Sequence, residues 1–102
     1  MAPRPTIPAR DDQSRPPLFS LEEWRAIVRT LALSPRQAQV VGLAMQSKRN
    51  KEIARILGTS ERTVRAHIDA SRHRLQAVDR MALCYRVFEV FRTDVERRHR
   101  QK

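Results

Sequence analysis

Residues 50–75 constrain this chain more than any other stretch, because two short helical patterns meet there at a glycine. Lys51-Glu52-Ile53-Ala54-Arg55-Ile56-Leu57 reads as a short helix opened by Asn50 as N-cap. Gly58 closes it, since a glycine takes the left-handed conformation that a helix exit favours. Ser60 is a good N-cap for a second helix, and Thr63 adds another hydroxyl in its first turn. At about 100° per residue, Val64, Ile68, Ser71 and Leu75 of that second helix form one narrow stripe that must be buried. Arg62, Arg65, Ala66, Asp69, Arg72 and His73 project from the opposite side. Helices joined through Gly58 and Thr59 cross steeply, as a helix-turn-helix requires. A long cationic face with one small residue and one acid in its middle suits a helix lying in a DNA major groove. The plainer reading is an amphipathic bundle with a solvated outer face. Turn, caps and stripe agree with each other, which argues against it.

Composition sets the outer limits. The chain has 102 residues, enough for one small domain. Its 21 Lys and Arg outweigh 11 Asp and Glu, for a net charge of +10. Such an excess favours a polyanionic partner, with nucleic acid ahead of an anionic membrane surface. No apolar run approaches a membrane span, and prolines stand where a signal peptide needs its hydrophobic core. The expected compartment is therefore the cytoplasm, with no membrane partner. Cys84 is the only cysteine and sits in an apolar helical pattern, so it reads as a packed thiol rather than a redox sensor. His67, His73 and His99 lack metal-ligand spacing with each other or with Cys84. With glycines only at 42 and 58 there is no phosphate-cradling loop, and no nucleophile has an evident base. No catalytic residue, metal or cofactor is expected, and the chain does not read as an enzyme.

Along the chain, residues 1–17 hold five of the six prolines (Pro3, Pro5, Pro8, Pro16, Pro17) among Arg4, Arg10 and Arg15. This reads as a disordered arm. In residues 18–32, Ser20-Leu21-Glu22-Glu23 is a capping box opening a helix with Leu21, Trp24, Ile27, Val28 and Leu31. Trp24 is a core or dimer anchor. Residues 33–102 form the helix-turn-helix domain. There Ser34-Pro35-Arg36-Gln37 repeats the box with proline at the first helical position. The helix that follows, to about Gln46, brings Val40, Val41, Leu43 and Ala44 to a core with Ile53, Leu57, Val64, Ile68 and Leu75. A long last helix, from about Asp79 to Arg98, carries Met81, Leu83, Cys84, Tyr85, Val87, Phe88, Val90, Phe91 and Val95. These cover more than one face. The surplus is buried either against another chain or against the Trp24 helix of the same chain.

The chain resembles the LuxR-type, or GerE-type, DNA-binding domain of bacterial transcription regulators. The likeness runs without gaps from Leu33 to about Leu83. It rests on Leu33-Ser34-Pro35-Arg36, Asn50-Lys51-Glu52-Ile53-Ala54, Leu57-Gly58, Ser60-Glu61-Arg62-Thr63-Val64-Arg65 with His67, and Leu75. The resemblance implies an all-α, four-helix domain whose third helix enters the major groove and whose fourth makes a two-fold dimer. The Trp24 helix would be an addition at its N-terminus. By this resemblance Arg65 contacts bases and Ala66 can touch a thymine methyl, while Lys51, Thr63 and His67 contact or approach phosphates. Physical reasoning adds Arg62 and Arg72 as phosphate or base-edge contacts. The dimer surface expected on the last helix comprises Met81, Tyr85, Phe88, Phe91 and Val95.

Three departures from the family pattern stand out. Many members carry Lys or Arg where this chain has Asp69, which could accept from a cytosine, orient Arg65 or Arg72, or weaken binding by facing phosphate. Ser47 and Gln76 replace family glycines at helix ends, and Gln37 replaces a common Glu. No sensory domain precedes the motif, so regulation is expected through abundance, a partner chain or the N-terminal segment. The reading that follows is a sequence-specific, dimeric regulator that binds double-stranded DNA through residues 61–75. Its alternatives are a protein-binding inhibitor or co-regulator that pairs with another regulator or RNA polymerase through the last helix, and a sigma region-4-like domain.

Overall fold

The computed structural model describes residues 13–96, with side chains to Thr93. Those residues form five α-helices: α1 (Leu21–Leu31), α2 (Pro35–Met45), α3 (Asn50–Leu57), α4 (Glu61–Leu75) and α5 (Arg80–Val90). A π-helical segment, Phe91–Glu96, continues α5. The described residues contain no strand, and the fold is all-α.

Local chemistry accounts for most helix boundaries. Ser20 accepts from the Glu23 amide at 3.0 Å while Glu23 Oε1 accepts from the Ser20 amide at 2.9 Å. Ser34 and Gln37 close the same reciprocal box, with Pro35 in the first turn. Each box satisfies two amides that lack a partner within the helix. Asn50, expected as an N-cap, is instead the first residue of α3, and Arg49 holds the cap position. The Glu52 carboxylate performs the capping by accepting from the Arg49 amide at 2.9 Å. That bond, with lesser help from Lys48, Arg55 and Arg49 charges, lowers the Glu52 pKa. Asn50 is thereby left to accept from a side chain distant in sequence.

Four helix exits turn through left-handed backbone. Gly58 does so with φ 67°, as expected. Ala32 (φ 55°), Ser47 (φ 65°) and Gln76 (φ 56°) do so despite their β-carbons. The two positions where the family carries glycine thus keep the left-handed turn and accept its steric strain, roughly 1–2 kcal/mol per residue.

The core lies between α2, α3 and α4. Val40, Val41, Leu43, Ile53, Leu57 and Val64 are fully buried there, with Ile68 and Leu75 nearly so. Every residue of the expected α4 stripe is buried, Ser71 among them. A second cluster is aromatic: Phe19 stacks on Trp24 with ring centroids 6.1 Å apart and planes 9° from parallel, and meets Phe91 at 4.9 Å. Trp24 is therefore a core residue, and part of the surplus apolar face of the last helix packs on the α1 side of its own chain.

Two expectations change with this arrangement. The last helix is not α-helical throughout, since α5 gives way to wider π turns at Phe91. There the Thr93 hydroxyl donates to the Glu89 carbonyl at 3.0 Å, a local competitor of the helical ladder. The expected continuation to Arg98 lies beyond the described residues.

Residues 13–17, part of the stretch read as a disordered arm, pack against α2. Ser14 is buried, and a β-carbon built on Gly42 would come within 1.9 Å of its carbonyl oxygen. Gln46 Nε2 donates to the carbonyls of Gln13 at 2.9 Å and Arg15 at 3.3 Å. Residues 1–12, which hold Pro3, Arg4, Pro5, Pro8 and Arg10, lie outside the described residues.

Candidate nucleic-acid interface

The surface that can meet DNA is built by burial on its opposite side. Val64, Ile68, Ser71 and Leu75 fix the rotation of α4 about its axis, so Arg62, Arg65, Ala66, Asp69 and His73 face outward and are exposed. Ser60 sets where α4 begins, accepting from the Thr63 amide at 3.1 Å. Its hydroxyl also donates to Thr63 Oγ1 at 3.0 Å, which leaves the Thr63 proton available to a further acceptor. His67 is half-buried at the flank of α4, and Lys51 is exposed in the first turn of α3.

Arg62, Arg65 and Lys51 make no ion pair or hydrogen bond among the described residues, so their donors are free for an anion or a base edge. Arg72 differs. Its Nη1 donates to the carbonyls of Val78 at 3.0 Å and Ala77 at 3.3 Å, and its Nη2 to Asp69 Oδ1 at 3.0 Å. Arg72, expected as a DNA contact, thus also has a structural role within the chain, with its side chain 31% exposed. A guanidinium at the end of α4 binds the nearest bare carbonyls of the chain reversal that follows. Of the alternatives for Asp69, the helical pair with Arg72 is present, and the Asp69 side chain remains 56% exposed.

The expected dimer surface is brought together in part. Met81 and Tyr85 are exposed at 79% and 67%, and Phe88 is partly covered. Phe91 is half-buried against Phe19, so it is turned to its own chain. The Val95 side chain lies outside the described residues. Val78, just before α5, is a further exposed apolar side chain, at 83%.

Arg80 was missed. Its Nη1 donates to Asn50 Oδ1 at 3.0 Å, and its Nη2 donates to the Lys48 carbonyl. Nothing local in the sequence marks this pairing across thirty residues. Cys84 is half-buried, and burial pushes its thiol pKa up. No helix of the described residues is long and apolar enough to cross a membrane.

A short helix set against a longer one through a left-handed glycine, with a buried stripe behind and unpaired arginines in front, defines a helix-turn-helix DNA-binding domain. The model of the bacterial regulatory proteins of the LuxR family, or GerE, matches residues 31–87, over half of the chain, and the chain belongs to that family. It is a family of transcription regulators and not of enzymes. The transcriptional activator protein CarR of Pectobacterium carotovorum subsp. carotovorum is 38% identical over 71 residues. The match covers 70% of this chain and 26% of CarR, so the chain spans about a quarter of the length of that relative. No solved structure matches the chain.

Proposed function

We propose that this chain regulates transcription in the bacterial cytoplasm by binding double-stranded DNA sequence-specifically as a two-fold dimer. One observation carries the reading: the buried Val64 side of α4 leaves Arg62, Arg65, Ala66 and Asp69, in that order along the helix, on its exposed side, with neither arginine ion-paired among the described residues. That order supports a reading helix. An arginine fork fits the O6 and N7 of guanine, a methyl side chain fits thymine, and a carboxylate accepts from the cytosine amine. Lys51, Thr63 and His67 flank this face and are assigned to phosphates, which set register rather than sequence.

Dimerisation is assigned to the exposed Met81, Tyr85 and Phe88, one helical stripe of α5, with Val78 exposed just before it. A pair of reading helices joined through it would meet half-sites about 10 base pairs apart. The similarity to a transcriptional activator supports a role in transcription. Selection of bound sequences from a random duplex pool at near-physiological salt tests the proposal, because non-specific affinity alone misleads for so basic a chain. A two-fold motif with half-sites one helical turn apart is expected. The same exposed stripe favours a second reading, pairing with another regulator or RNA polymerase. No enrichment from folded protein would move the assignment there.

A further inference from the structure

We infer that Arg80 is a positioning residue that sets the angle between α5 and the DNA-facing helices, and thereby the half-site spacing a pair of chains accepts. The inference rests on the dimeric reading above. Arg80 opens α5 directly after its N-cap. The Asp79 carboxylate is occupied with the Ala82 amide at 2.8 Å, so the Arg80 guanidinium turns to more distant acceptors. It reaches Asn50 Oδ1 and the Lys48 carbonyl, which flank the start of α3 immediately before Lys51. α3 and α5 pack chiefly through α2 and α4 rather than on each other, so this side chain is the polar tie between them. A rigid guanidinium fork bonded to two acceptors fixes direction as well as distance, which a lysine ammonium cannot do.

The start of α5 is held from its other side too. Arg72, at the end of α4, donates to the carbonyls of Ala77 and Val78. Val78 and Met81, which bracket Asp79 and Arg80, are the most exposed apolar side chains of the described residues. The residues that would meet a second chain therefore sit on a joint clamped to both DNA-facing helices. In a two-fold dimer each reading helix lies about 17 Å from the axis, half of one helical turn of DNA. A tilt of about 10° at the joint would move it by about 3 Å, close to one base-pair step.

The test uses the full chain and duplexes built from its selected site, with the half-sites placed about 8 to about 12 base pairs apart or with one half-site alone. The proteins are the wild type, Arg80→Ala, Arg80→Lys and Asn50→Ala, each checked for folding by circular dichroism. The wild type is expected to prefer one spacing by about ten-fold or more. Arg80→Ala should keep single half-site affinity within about two-fold, keep the salt dependence, and lose the spacing preference. Arg80→Lys should behave like Arg80→Ala, because the fork is gone.

An unchanged spacing profile in Arg80→Ala overturns the inference alone. So does an equal loss on single and paired half-sites with the salt slope reduced by about one, the signature of a direct phosphate contact. If Arg80→Ala does not fold, Asn50→Ala decides, since it removes one acceptor without touching the core. Spacing preference retained in that variant overturns the inference. A wild type indifferent to spacing overturns the dimeric reading and this inference with it.

Discussion

Arg72 Nη2 stands 3.0 Å from Asp69 Oδ1, one turn earlier on α4, while Nη1 of the same guanidinium holds the carbonyls that follow the helix. The two side chains are 31% and 56% exposed, so their ion pair contributes little by itself. Asp69→Ala should change stability by less than about 1 kcal/mol. Arg72→Ala should lose more, about 1–2 kcal/mol, because two carbonyls lose a charged donor. Urea unfolding of the two variants would check the ranking. A larger loss for Asp69→Ala would reverse the assignment.

Arg65 and Lys51 should separate base reading from phosphate contact. Arg65→Ala is expected to lose about 1–3 kcal/mol on the selected site and to relax one base position. Lys51→Ala should weaken selected and random duplexes alike and lower the salt slope by about one. Equal losses on specific and random DNA for Arg65→Ala would remove it from the reading face.

Ser71 is fully buried, and its hydroxyl has no hydrogen-bond partner among the described residues. A desolvated, unpaired hydroxyl is destabilising by about 1–3 kcal/mol. Ser71→Ala removes it from the buried side of α4 and should raise the urea midpoint, a gain of about 1 kcal/mol after the lost volume is allowed for. DNA affinity should not move. A fall in midpoint would show that the hydroxyl is satisfied in solution.

Gln76 and Ser47 sit at φ 56° and 65°, where a β-carbon is strained. Replacing either by glycine should stabilise the fold by up to about 1 kcal/mol, the steric relief exceeding the added freedom of the unfolded chain. Calorimetric melting of the single variants would show it, and a lowered Tm for both would contradict the strain argument.

Gly42 admits the Ser14 carbonyl into space that any side chain would fill. Gly42→Ala should destabilise by about 1–3 kcal/mol despite alanine's better helix propensity. Trp24, whose ring lies 3.2 Å from the same position, should report the shift by fluorescence. An alanine variant as stable as the wild type would mean that residues 13–15 leave α2 readily.

Features that depend on neighbours within about four residues along the chain are legible in the residues alone. Ser20 with Glu23, Ser34 with Gln37 and Ser60 with Thr63 place three helix starts. The spacing of Val64, Ile68, Ser71 and Leu75 decides which side of α4 is buried, and so which arginines face outward. Groups with several competent partners are settled by how the helices pack. Phe91 meets Phe19, and Asn50 could have capped α3 but accepts from Arg80. Arg72, at the end of α4, holds the carbonyls of Ala77 and Val78. Apolar surface and guanidinium donors are indifferent to sequence distance, so their choice waits on which surfaces and carbonyls the packed helices bring within reach.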